Sequence, residues 1–319
     1  MTYNKWMRSY FLGSHSLHSS VGVRMTEDRH EFGSSETERK LDCLRKYLTA
    51  YSTALKNKNL SRIYIDAFAG TGSRTETRAV LPFMGQGEEA LVEVSTPGSA
   101  RIALETKPPF HHVLLIEKDP RRASVLKKLL ETYPDSRAHV RQGDANEIVQ
   151  HVCRRYNWHK EKIRGVVFLD PYGMEVSWNT VEAIAKTEAL DCWYFFPLSG
   201  LYRNAPKDQN KLDQSKIDAL NRVFGTSSWM NDWYETEFQE DLFGEFKADM
   251  RRTYDVNRIE EWVASRLREV FKGGVLKPMR LHHPGGAPMA SLFFAIANPN
   301  PAATKLAKEI AGHILRIGI

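Results

Sequence analysis

Residues 63–72 read Ile-Tyr-Ile-Asp-Ala-Phe-Ala-Gly-Thr-Gly. An apolar, β-rich run ends in Asp66 and passes into a turn where Gly70 and Gly72 flank one threonine. Such a turn lets backbone N–H groups approach a ligand closely at the carboxyl edge of a parallel sheet, where open α/β sheets bind cofactors. The plan recurs twice. Val113–Ile116 leads into Glu117-Lys118-Asp119, and Val166–Leu169 leads into Asp170-Pro171-Tyr172-Gly173. An acid that closes a strand, as Glu117 does, can accept both hydroxyls of a ribose. Asp119 stands before Pro120 and suits a helix cap better than a ligand contact. Gly143-Asp144-Ala145 adds a further acid, which can cap the helix that follows it. Acids at the tips of neighbouring strands imply one crevice for a polar, ribose-bearing cofactor.

A dinucleotide site would show a third glycine and an acid about 20 residues further on. Here Arg74 and Thr75 follow the second glycine, and Glu117 lies far downstream. A nicotinamide-dependent oxidoreductase is therefore disfavoured. The pairs His111-His112 and His282-His283 have no acidic or cysteine partners at metal-ligand spacing, so no metal site is assigned. Cys43, Cys153 and Cys192 are far apart and odd in number, which argues against a disulfide framework or a zinc knuckle. Cys192, in the run Cys-Trp-Tyr-Phe-Phe, reads as a small buried hydrophobe.

These residues need a scaffold of alternating strands and helices. Leu41, Leu44, Leu48, Tyr51 and Leu55 recur at helical steps and predict a helix over 35–56. Strands are expected at 62–67, 112–116, 138–142, 165–169 and 191–196, with helices between them. Residues 73–97 form a long connection rich in Gly, Thr and Glu, of a length that is often functional. A strand over 275–281, the turn His282–Gly286, a strand over 290–297 and a closing helix end the chain. The predicted fold is α/β: a doubly wound, Rossmann-like sheet with an antiparallel C-terminal hairpin and an all-α insertion. The expected divisions are an irregular lead-in over 1–34, the core over 35–200, the helical insertion over 201–272, and residues 273–319 completing the core. Trp229 and Trp233, in the insertion, are read as packing residues.

The 319 residues are 42% hydrophobic, enough for a sizeable core. Forty-five Lys and Arg against 39 Asp and Glu give a formal charge of +6, which permits an anionic partner without requiring one. No apolar run approaches the roughly 18 residues of a membrane span. The first residues lack the apolar core of a signal peptide, being interrupted by Arg8 and His15. Reduced thiols and these absences point to the cytoplasm.

The pattern Asp66-x-Phe68-Ala69-Gly70-x-Gly72 resembles the first motif of class I methyltransferases that use S-adenosyl-L-methionine, especially those acting on exocyclic amines. The resemblance implies that Gly70 and Gly72 make room for the methionine part of the cofactor. Asp66, Phe68 and Ala69 shape that turn, and Glu117 and Lys118 lie at the ribose. Asp144 and Ala145 resemble the segment that meets the adenine amine. Asp170-Pro171-Tyr172-Gly173 resembles the Asp/Asn-Pro-Pro-Tyr segment that holds a target amino group and stacks a planar substrate. It departs from that pattern by one proline and a following glycine, a form found in some RNA guanine methyltransferases. Arg203, just beyond the fifth core strand, is a candidate partner for an anionic group of the substrate, and Tyr172 for its plane.

More of the chain resembles one bacterial family, the three-Cys-motif partner proteins. The residues are Tyr64–Gly70, Thr96–Ser99, Leu115–Asp119, Phe168–Gly173 and Pro197–Arg203, with Lys40, Tyr47 and Leu48 in the first helix. The family's cysteines belong to a radical-enzyme-like partner, so this resemblance implies such a partner protein. The favoured reading is a methyltransferase with Asp170–Gly173 orienting the acceptor, an amino group of a nucleobase or nucleic acid. The rival is a non-catalytic module of the same fold that binds nucleic acid or the partner protein, motivated by Arg121-Arg122, Arg154-Arg155 and Arg251-Arg252.

Overall fold

The structure, a computed structural model, describes residues 35–80, 90–240 and 246–317. The lead-in expected over 1–34 lies outside them. Helix α1 (Ser35–Leu55) precedes strand β1 (Ser61–Asp66). A hairpin, β2 (Ser73–Val80) and β3 (Ala90–Pro97), leads to α2 (Ser99–Glu105). Then come β4 (His112–Glu117), α3 (Pro120–Glu131), β5 (Ala138–Gln142) and α4 (Ala145–Arg155). They are followed by β6 (Ile163–Leu169), α5 (Trp178–Lys186) and β7 (Leu190–Phe196).

The central sheet has the order β5-β4-β1-β6-β7, all parallel. Strand β12 (Pro288–Ile296) continues it antiparallel to β7. The outer edge of β12 is shared by β10 (Gly274–Val275) and β11 (Met279–His282), both antiparallel to it. Pro278, which has no N–H to give a ladder, separates these two pieces of what was expected as one strand over 275–281. This is the expected doubly wound, Rossmann-like sheet with an antiparallel C-terminal hairpin. The chain leaves β1 toward β4 and β5, then returns to β6 and β7 on the other side. The switch point falls between β1 and β6, and open α/β sheets bind their ligands at the carboxyl ends of the strands beside such a point.

Every residue of β1 is buried, because helices cover both faces of the sheet. Successive side chains point to opposite faces and join two separate cores. Ile63, Ile65, Val167 and Leu169 pack with Val149 of α4 and Ile184 of α5. Tyr64, Val166, Phe168 and Trp193 pack with Leu44, Tyr47 and Leu48 of α1 and with Ala311 of the closing helix α10 (Pro301–Ile317). Tyr47 is fully buried, and its ring meets Trp193 edge-on at 5.3 Å and Phe294 at 4.8 Å between centroids. These contacts lock α1 across the sheet.

Two expectations need correction. Within 73–97, expected as a long connection, residues 73–80 and 90–97 pair as antiparallel strands, with Ser73 opposite Pro97 and Val80 opposite Ala90; residues 81–89 lie outside the described set. Residues 201–272, expected to be all helical, contain α7 (Gln214–Phe224), α8 (Ser228–Trp233) and α9 (Val256–Val270), but also the hairpin β8 (Tyr234–Glu240) and β9 (Phe246–Arg252). The run Tyr-Glu-Thr-Glu-Phe-Gln-Glu alternates at period two, but three of its seven residues are glutamate and only Tyr234 and Phe238 are apolar, too few to display the face that marks a strand. Trp229 and Trp233 are fully buried and pack this lobe.

Candidate active site at the carboxyl edge

Parallel register brings the acids together. Asp66 ends β1 opposite Leu115 of β4 and Phe168 of β6, two residues before Glu117 and Asp170 respectively. All three therefore sit on one edge of the sheet.

The glycine turn is built from backbone. The Ala67 amide donates to the Phe168 carbonyl at 3.0 Å and the Ala69 amide to the Ile116 carbonyl at 2.9 Å, which suspends the turn between β6 and β4. Gly70 (φ 61°) and Gly72 (φ 77°) adopt left-handed conformations that favour glycine. Their surroundings differ. A Cβ on Gly72 would lie 2.6 Å from Leu129 Cδ2, whereas one on Gly70 would meet nothing within 4 Å. Gly72 is a packing glycine, and Gly70 faces open space.

Glu117 is buried beside that space. Its Oε2 accepts the Gly70 amide at 3.0 Å, and its Oε1 accepts the Asp119 amide at 2.8 Å and Arg122 Nε at 3.1 Å. A carboxylate has about four lone-pair sites, so Oε2 retains capacity for a ribose hydroxyl. Asp119 caps α3 through the Arg121 and Arg122 amides, both at 2.9 Å. Asp144 caps α4 through the Asn146 amide at 2.9 Å and also accepts Lys118 Nζ at 3.3 Å. Burial pushes Asp144 upward, but these hydrogen bonds outweigh it and hold the carboxyl below its ordinary value. Ala145, the first residue of α4, is buried behind it.

Asp66 differs from the other acids. It is wholly buried, and its oxygens accept from the Phe68 amide and the Tyr64 hydroxyl, both at 3.3 Å, and from Ser99. Burial pushes it up to about 7, the Asp170 charge adds to the rise, and Ser99 pulls it back. Asp66 therefore faces inward and sets the turn that Phe68, Ala69 and Gly70 follow, rather than offering oxygens to the crevice.

Asp170 stands at the tip of β6. Lys40 Nζ of α1 donates to its Oδ1 at 2.8 Å and its Oδ2 at 2.6 Å, while lying 4.1 Å from the centre of the Phe195 ring at the tip of β7. Lys40 is buried, so α1 aims a desolvated ammonium at the candidate acceptor site. Sequence reading placed Lys40 only within a family resemblance and missed this role. The available signal was its place on the buried stripe of α1, shared with Leu44, Tyr47 and Tyr51 at helical steps. Pro171 is buried, whereas Tyr172 is 79% exposed and free to stack. Gly173 (φ 88°) has nothing within 4 Å of a Cβ position. Arg203 is exposed on α6 (Leu198–Asn204), the helix that leaves β7 at this edge.

The same rim carries a hydroxyl–imidazole pair that sequence reading passed over. Because β12 runs antiparallel to β7, the turn after β11 returns to the carboxyl edge, and His283 Nε2 lies 2.8 Å from Ser199 Oγ at the start of α6. Among the described residues no cluster of three or more His, Cys, Asp or Glu side chains could hold a metal ion. No described helix is long and apolar enough to cross a membrane.

No protein-family model and no curated protein matches the chain. Solved structures with a similar fold include a Legionella pneumophila protein (TM-score 0.46, 15% identity, covering 84% of this chain and 90% of that one). Trm1 from Pyrococcus horikoshii, solved with S-adenosyl-L-methionine, aligns with a TM-score of 0.34 and 12% identity over 93% of this chain and 79% of that one. A putative methyltransferase of Escherichia coli aligns with a TM-score of 0.29 and 14% identity over 66% and 87%.

Proposed function

We propose that the protein is an S-adenosyl-L-methionine-dependent methyltransferase. One observation carries this reading: the Gly70 amide is held by the buried carboxylate of Glu117, beside a position where even a Cβ would meet only open space. In this reading Glu117 accepts the ribose hydroxyls, and Gly70 with its neighbouring amides borders the methionine end. Lys118, Asp144 and Ala145 border the adenine. When bound, the cofactor supplies a methyl group on a sulfonium centre.

The remaining work falls to the chain's own residues. Asp170, fixed by two hydrogen bonds from Lys40, keeps lone pairs with which to accept an N–H of the acceptor and aim its attacking atom. Tyr172 offers an exposed ring for a planar acceptor, and Arg203 offers a charge for a phosphate. Aligning two reactants in this way is worth roughly 7–11 kcal/mol of barrier. These features favour an amino group of a nucleobase or nucleic acid as the acceptor. The three-Cys-motif resemblance adds a radical-enzyme-like protein as a partner, and the unpaired cysteines Cys43, Cys153 and Cys192 favour the cytoplasm as the place of action. Calorimetric titration with S-adenosyl-L-methionine and its demethylated product tests the cofactor assignment. Heat of binding with both is expected; no heat with either, on folded protein, removes the proposal.

A further inference from the structure

A second cavity, of about 500 Å³, lies at the opposite edge of the sheet, where β1, β4 and β5 begin. Arg62, Lys107 and Arg137 line it, against Asp135, the one carboxylate among its described lining residues. Arg62 is 5% exposed. Its guanidinium donates to the carbonyls of Leu55 at 3.2 Å and Pro109 at 3.1 Å, while its Nε has no acceptor and no carboxylate neutralises it among the described residues. A buried cation paired only with neutral carbonyls is costly, and an anion in the adjoining space would offset that cost.

His111 supplies a further donor. Its Nδ1 accepts the Arg62 amide at 2.9 Å, which leaves the ring proton on Nε2. Burial, with Arg62 and Arg137 nearby, lowers the His111 pKa and favours this neutral form. Phe110, buried, and Tyr133, half-buried, give the cavity an aromatic wall. The volume falls within the usual range for small-molecule sites, roughly 300–1,000 Å³, and exceeds what a bare phosphate ion fills.

From this combination we infer that the cavity at the amino edge binds a small organic phosphate with a planar ring, of the nucleoside monophosphate class, at a site separate from the carboxyl edge. The guanidinium of Arg137 and the ammonium of Lys107 meet the phosphate, Arg62 contributes charge from behind, and Tyr133 and Phe110 flank the ring.

The test is calorimetric titration of the full chain with AMP, adenosine, inorganic phosphate and a short single-stranded RNA. Each titration is run with and without saturating S-adenosylhomocysteine and is repeated on Lys107→Glu/Arg137→Glu. Both substituted side chains are exposed, and an unchanged thermal midpoint verifies the fold. AMP is expected to bind at least tenfold more tightly than adenosine or phosphate, independently of S-adenosylhomocysteine, with affinity falling at least tenfold in the double variant. Equal affinity in the variant, or displacement of AMP by S-adenosylhomocysteine, overturns the inference. Absence of AMP binding overturns it too, and RNA binding in that case would reassign the cavity to a nucleic-acid backbone. Because S-adenosylhomocysteine binding is measured in parallel, failure at this cavity is distinguishable from failure at the carboxyl edge.

Discussion

Replacing Lys40 by methionine removes the cation that holds Asp170 while keeping most of the side chain's volume. The ammonium lies 2.8 and 2.6 Å from the two carboxylate oxygens, and the side chains of Lys40 and Asp170 are only 8% and 22% exposed. At an effective dielectric constant of about 20, opposite charges at this range attract by roughly 6 kcal/mol. Desolvation of the ammonium returns several kcal/mol. Its contact with the Phe195 ring, 4.1 Å from the centroid, adds back about 1 kcal/mol. Losing one partner of a buried pair costs about 3–5 kcal/mol, and the partial exposure of Asp170 puts this case at the lower end, near 3. With Asp170→Asn already present, methionine packs on Phe195 and the same change should cost about 1 kcal/mol. The resulting coupling of about 2 kcal/mol is read from a double-mutant cycle by urea denaturation. It should survive an increase from low to high salt, since a shielded pair is weakly screened. A coupling within about 0.5 kcal/mol of zero, the size expected for an exposed pair, would refute the claim that α1 fixes the acceptor-side carboxylate.

Other predictions concern the turn, the buried acids and the exposed ring. Gly70→Ala should cost only the left-handed backbone penalty, about 1–2 kcal/mol, yet weaken S-adenosylhomocysteine binding at least tenfold. Gly72→Ala adds a clash with Leu129 and should destabilise more strongly; calorimetry and thermal unfolding of the pair separate the two roles. Asp191 is buried, with its oxygens on the Ala297 amide and the Tyr47 hydroxyl, and burial pushes it up to about 7. The folded state thus holds a proton that the unfolded state releases near pH 4, so this group's contribution to stability is present below about pH 4 and is lost as pH rises to about 7. Asp191→Asn should therefore gain on the parent protein by up to about 4 kcal/mol between pH 4 and 8; a constant difference in urea denaturation contradicts this. Tyr172→Ala should leave stability within about 0.5 kcal/mol but, with a nucleobase acceptor, lower acceptor affinity by about 1–3 kcal/mol, measured as a rise in the acceptor's KM.

Much of this site could be read before any coordinates. The strands betray themselves because both faces of β1, β6 and β7 are covered, which forces short, largely apolar runs, and an acid (Asp66, Glu117, Asp170) marks the carboxyl end of β1, β4 and β6. The inward turn of Asp66 was not legible, since its partner Ser99 lies on α2, whose packing against β1 no local pattern records. Lys40 was hidden for the same reason: its partner lies 130 residues away. The hairpin β2–β3 escaped because its first strand, Ser-Arg-Thr-Glu-Thr-Arg-Ala-Val, is too polar to display a buried face. Strand β11 could have been anticipated from Pro278, which bars a continuous ladder.

A crystal structure of the protein with S-adenosylhomocysteine addresses the convergence of Glu117, Gly70 and Asp170 on one hollow most directly. The nucleoside should lie beside Gly70 with its ribose hydroxyls on Glu117 and its sulfur toward Asp170. Density for the ligand only at another surface, with the space beside Gly70 filled by protein side chains, would contradict the account.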